Sequence, residues 1–125
     1  MRNSAFIAIS CLGLSLLVAY PTTASADEYG AIAYDTGTLR YGYSAHHASV
    51  SEAGTAAIHQ CGTAGCKVVI EIGPNMCGAL ATAPNPTGWG AAAQNTRDAA
   101  VRAAMDECQK LNTTQCTVQE IDCNR

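Results

Sequence analysis

Tyr29-Gly-Ala-Ile-Ala33 is answered 48 residues later by Cys77-Gly-Ala-Leu-Ala81, and Tyr41-Gly42 by Trp89-Gly90 at the same offset. The correspondence runs on: Ser51 to Cys61 aligns with Asp98 to Cys108 at offset 47, and Cys66-Lys-Val with Cys116-Thr-Val at offset 50. Offsets that drift this little across four landmarks indicate an internal duplication with small loop changes. Each half, about 29–73 and 77–123, is therefore expected to be one supersecondary unit.

Within the first half, residues 29–34 and 39–44 flank Asp35-Thr-Gly-Thr38, which predicts a β-hairpin with Gly37 in the turn. Ser49-x-x-Glu52 has the form of a capping box. Val50, Ala53, Gly54, Ala57, Ile58 and Cys61 then recur with helical spacing, and Gly62 marks the end of that helix. Val68, Ile70 and Ile72 alternate with Lys67, Val69 and Glu71 as a half-buried strand would, up to Gly73-Pro74. The second half repeats the plan: strands at 78–82 and 88–93, a helix capped by Thr96, and a last strand at 117–122. Val118 and Ile121 do not share a face in that last strand, so a bulge is expected there. The predicted fold class is α+β: two β-β-α-β units forming an antiparallel sheet with two helices packed on it.

The first 26 residues read as a secretory signal, with Arg2 before an apolar stretch from Ala5 to Ala19 and small residues at Ala24-Ser-Ala26. The apolar run is shorter than the ~20 residues of a membrane span, so no stable membrane anchor is expected. Cys11 lies within it, which leaves a single domain over 27–125 with six cysteines. An even number behind a secretion signal favours disulfides. Cys61/Cys66 and Cys108/Cys116 occupy the same helix-to-strand junction of the two halves, which leaves Cys77 with Cys123. Chain-entropy arithmetic assigns roughly 2 kcal/mol to the short Cys61 to Cys66 loop and roughly 4 kcal/mol to the Cys77 to Cys123 loop. The spacings C-x4-C and C-x7-C miss the tight C-x2-C of zinc ribbons and thioredoxin-like catalysts.

Seven basic and ten acidic residues give a net charge of −3, which becomes −4 without Arg2. No Lys/Arg cluster is present to neutralise a run of phosphates, which argues against nucleic acid as a partner. No nucleophile motif, phosphate-binding loop or cofactor signature occurs. His46, His47 and His59 are the only imidazoles, and they support one enzymatic reading, a small metal-dependent hydrolase. Tyr34, Tyr41 and Tyr43 of the first hairpin and Trp89 of the second support a different one, a partner-binding surface. Tyrosine is favoured at interfaces because a rigid apolar body carries a polar tip. The competing use of these rings is cross-strand pairing within the sheet.

The combination of Tyr29-Gly-Ala-Ile-Ala33, the Gly-aromatic hairpin, the Ala-rich helix ending at Cys61, Cys66-Lys-Val-Val69, Cys77-Gly-Ala-Leu-Ala81 and Trp89-Gly90 resembles the bacterial family catalogued as domain of unknown function 4189. The resemblance covers nearly all of residues 29–123. It implies small secreted or envelope proteins of actinobacteria and proteobacteria, with a disulfide-linked α+β fold and no established catalytic residues. The reading that follows is a secreted or periplasmic, non-enzymatic interaction module directed at a protein or envelope component. The hydrolase, and a structural envelope protein or inhibitor, are the alternatives.

Overall fold

The computed structural model describes Leu17 and residues 28–111 and 115–125. The expected signal over 1–26 lies outside the described residues, Leu17 apart. The elements run β1 (Tyr29–Asp35), β2 (Arg40–His47), α1 (Val50–Cys61), β3 (Lys67–Ile72), β4 (Cys77–Thr82), β5 (Trp89–Gln94), α2 (Arg97–Leu111) and β6 (Thr117–Cys123). The order β-β-α-β thus occurs twice. Ser49 caps α1 by accepting the Glu52 N–H at 3.1 Å, and Gly62 closes it in the left-handed conformation, donating to the Ile58 carbonyl. Thr96 caps α2 by accepting the Ala99 N–H at 3.1 Å.

The α+β class stands, but the strands form two three-stranded antiparallel sheets, β2-β1-β3 and β5-β4-β6, in place of one. The reason is legible in the central strands. Both β1 and β4 are buried at nearly every position, so each needs cover on both faces. Ala31 and Ala33 of β1 pack on Ala53, Ala57 and Cys61 of α1. Ala79 and Ala81 of β4 pack on Ala100, Ala104 and Cys108 of α2. The alternate residues Ile32, Tyr34 and Leu80 join Ile72 in a third cluster, which holds the sheets against each other. The layers are helix, sheet, sheet, helix.

Small residues set the helix-to-sheet spacing in both halves. A Cβ added at Gly42 would lie 2.3 Å from the Ala57 carbonyl oxygen and from the Cys61 nitrogen. One added at Gly90 would lie 2.3 Å from the Ala104 oxygen and 2.4 Å from the Cys108 nitrogen. Each helix backbone rests directly on a glycine of its hairpin, which compensates for the small area that alanine buries.

Of two bulges in the outer strands, the one in β3 corrects the sequence reading and the one in β6 agrees with it. The register of β3 on β1 passes from Ile70 to Val68 between consecutive β1 residues, so Val69 is the extra residue. As a result Val68 faces α1, while Val69, Ile70 and Ile72 face the other sheet, instead of Val68 sharing a face with both isoleucines. The register of β6 on β4 skips Gln119 in the same manner, which is the irregularity expected there.

The six cysteines pair as Cys61–Cys66, Cys108–Cys116 and Cys77–Cys123. The first two tie each helix to the strand that follows it, and the third joins directly opposed residues of β4 and β6. The halves are further clasped by Asn124, which sequence reasoning passed over. Its buried carboxamide donates to the carbonyls of Ile72 (2.9 Å) and Gly73 (3.1 Å) and accepts from the His46 N–H (3.1 Å). Its backbone exchanges bonds with Asn75 and Met76. No helix among the described residues is long and apolar enough to cross a membrane.

Candidate functional site

The sheet-on-sheet arrangement sorts the four aromatic candidates. Tyr34 is 2% exposed, and its ring lies 5.9 Å from that of Trp89, tilted by 58°. Trp89 is half-buried, and it and Tyr41 pack on the cluster between the sheets. Tyr34 is thus a core residue and not a docking residue, because the sheet face it occupies is covered by the second sheet. Its hydroxyl is buried with no hydrogen-bond partner among the described residues, and burial, with the Asp35 charge beside it, pushes its pKa up. Tyr43, two residues beyond Tyr41 towards the end of β2, is 39% exposed. Its backbone N–H points off the open edge of β2 and is capped by the Gln60 side-chain oxygen at 2.5 Å.

Among the described side chains of residues 29–123, the exposed large apolar ones are Leu39, Tyr43, Val50 and Ile58, all in the first half. Helix α1 carries two of them because its buried face needs only the small residues Ala53, Gly54 and Ala57 and the disulfide-bonded Cys61. Its opposite face, with the end of β2, forms an open groove of about 530 Å³ lined by His47, Ser51, Glu52, Thr55, Ala56 and His59. Ile58 follows Thr55 at i+3 and borders this surface. The groove therefore combines two imidazoles, a carboxylate and two hydroxyls with apolar flanks.

The histidines do not converge as the hydrolase reading requires. His46 turns away, with Nδ1 2.6 Å from Glu28 Oε2 in an exposed pair. His47 and His59 line the groove with Glu52, yet no group of three or more His, Cys, Asp or Glu among the described residues could hold a metal ion. Adjacent strand residues point to opposite faces, and here a bulge adds a left-handed φ of 62° at His46, which commits its N–H to Asn124. The metal-dependent hydrolase is not favoured by this geometry.

A second polar cluster is structural. The Asp35 carboxylate accepts from Thr63 Oγ1 (2.5 Å) and from the Gly37 N–H (2.9 Å), tying the β1–β2 turn to the loop closed by Cys61–Cys66. The Thr63 bond first, then those from Thr38 and Gly37, hold its pKa at about 2 against the usual 3.8. The sequence showed only a turn aspartate.

The family model described as "Domain of unknown function (DUF4189)" matches residues 29–123. Neither the curated proteins nor the solved structures gave a match.

Proposed function

The chain belongs to the DUF4189 family, and from that premise we propose that it is a secreted, non-enzymatic interaction module whose partner, a protein or envelope component, docks on the α1 side of the first half. The observation that carries this reading is that, among the described side chains, the exposed apolar Tyr43, Val50 and Ile58 lie on β2 and α1, beside the groove of His47, Glu52 and His59. Exposed apolar side chains rimmed by polar ones mark interaction sites more often than isolated ones do. Three disulfides suit an oxidising extracellular or periplasmic setting, where a thin alanine-rich core gains most from cross-links. The matching element order and matching glycine contacts of the halves support descent by internal duplication, with one copy carrying the docking face.

A photo-crosslinking residue placed at position 58 or 43, compared with one at Arg102 on the exposed face of α2, tests the assignment in cells producing the protein. Partner adducts are expected from 58 and 43, and the position-43 adduct should be lost when Ile58→Asp is introduced into the same chain. Equal adducts from Arg102, or adducts insensitive to Ile58→Asp, would sink the assignment.

A further inference from the structure

The four outer strands β2, β3, β5 and β6 expose the backbone edges of the two sheets. Edges of this kind are usually blunted by charged side chains, bulges or capping groups. Strand β2 carries Arg40 and has its Tyr43 N–H capped by Gln60; β3 carries Lys67, Glu71 and a bulge; β6 carries Glu120, Asp122 and a bulge. Strand β5, Trp-Gly-Ala-Ala-Ala-Gln over Trp89–Gln94, has no charge, and its register on β4 is unbroken.

From Ala91 to Ala93 the edge of β5 is also uncapped, the Arg125 guanidinium reaching the Asn95 carbonyl just beyond the strand's end. The Ala83 N–H donates to the Gly88 carbonyl, so in the antiparallel alternation residues 90 and 92 turn their backbone groups towards β4 and residues 89, 91 and 93 turn theirs outward. Ala91 corresponds to Tyr43, and Glu107 corresponds to Gln60. In place of reaching the strand, the Glu107 carboxylate is held by Lys110 Nζ at 2.8 Å. Among the described residues nothing covers the Ala91 N–H. Instead β5 and α2 border an open groove of about 750 Å³, formed by the Ala91–Gln94 strand edge, Ala103, and the charged rim of Asp106, Glu107 and Lys110.

We propose that the β5 edge is a second binding site, which takes an extended peptide segment with basic side chains as a fourth strand of the β5-β4-β6 sheet. Unpaired backbone N–H and C=O groups in register are complemented by another extended backbone, and the methyl side chains of Ala91, Ala92 and Ala93 leave room for it beside α2. Two carboxylates against one ammonium on the rim select lysine or arginine on the incoming strand. The same charges disfavour a second copy of this chain, which would bring its own Asp106 and Glu107 and a net charge of −3. This site lies on the half opposite to the α1 docking face, so the two proposals fail independently.

The test uses the full disulfide-intact chain, 15N-labelled, titrated with a capped heptapeptide alternating valine and lysine. Two comparison peptides replace lysine by glutamate or N-methylate alternate residues. The expected result is a shift and slowed hydrogen exchange at the Ala91 and Ala93 amides with the valine–lysine peptide. At least tenfold weaker binding is expected for both comparison peptides and for Ala91→Pro, whose lost N–H faces outward and is not needed by β4. The peptide comparison needs no variant to fold. Equal binding of the N-methylated peptide, shifts confined to other surfaces, or no binding at millimolar peptide would each overturn the proposal. So would concentration-dependent protection of Ala91 without peptide, which would make the occupant a second copy.

Discussion

Replacing Asn124 by alanine removes the side chain that joins the end of the last strand to the ends of β2 and β3. Three hydrogen bonds are lost, to Ile72, Gly73 and His46. A net contribution of about 1 kcal/mol for each gives about 3 kcal/mol, and the orphaned His46 N–H raises this unless water enters, so the loss is put at about 2–4 kcal/mol. For a domain of this size the melting temperature should fall by roughly 10–25 °C. Asn124→Asp is the sharper probe. One carboxylate oxygen can still accept from His46, but the other is turned on two carbonyl oxygens, so the loss at pH 7 should exceed that of alanine and shrink as the pH is lowered enough to protonate the new acid. Urea unfolding followed by circular dichroism, with disulfides intact, measures both. A change below about 0.5 kcal/mol for Asn124→Ala, the size of an ordinary surface substitution, would refute the clasp. An aspartate variant as stable as the alanine variant at pH 7 would do the same.

Gly42→Ala and Gly90→Ala should destabilise by similar amounts, on the order of 2–3 kcal/mol each, since either Cβ strikes helix backbone at 2.3 Å; denaturant midpoints check this, and a neutral effect at one site alone would show that the two helices are seated differently. Tyr34→Phe should be neutral or stabilising by up to ~1 kcal/mol, because the hydroxyl it deletes is buried without a partner; a clear loss of stability in a thermal melt would reveal an acceptor. Asp35 has a folded pKa below its unfolded value, so its stabilising contribution is complete above about pH 4 and is lost as the pH falls through about 2. Thr63→Val removes the largest cause of that depression, and stability profiles from pH 2 to 6 should then flatten; an unchanged acid slope would contradict the assignment.

Much of this architecture is legible in the chain because local signals agree with the global fold. Ser49, Gly62 and Thr96 cap helices where a cap was expected, and four cysteines pair by their equivalent places in the two halves, leaving Cys77 with Cys123. What escaped was the second face of each sheet. Alternation in β3 suggested one buried face, but Val69 bulges out of the ladder and shifts the pattern by one residue, so Ile70 and Ile72 belong to a different core from Val68. The continuous apolar run in β1 was the available sign of burial on both faces, and it would have placed Tyr34 inside. Asn124 gives no signal of its own, since one polar residue after the final cysteine looks like a frayed end. Its role depends on three backbone groups, from residues 46, 72 and 73, that only the fold brings together. Of the residues on the face proposed for docking, Tyr43 was named from sequence as partner-binding, while the groove histidines were named only for a metal site; the exposure of Ile58 contradicts its place in the apolar stripe of α1.

The assignment of inner and outer residues depends on the two sheets facing each other. The most direct measurement is a set of nuclear Overhauser contacts across that interface in the disulfide-intact protein. The account predicts contacts between the Tyr34 and Trp89 rings and between the Ile72 δ-methyl and the Gly78 α-protons, with none from Tyr43 to the second half's core residue Leu80. If Tyr34 and Ile72 showed no contact with residues 77–94, the sheets would not be stacked, Tyr34 would return to the surface, and the proposed docking face would have to be redrawn.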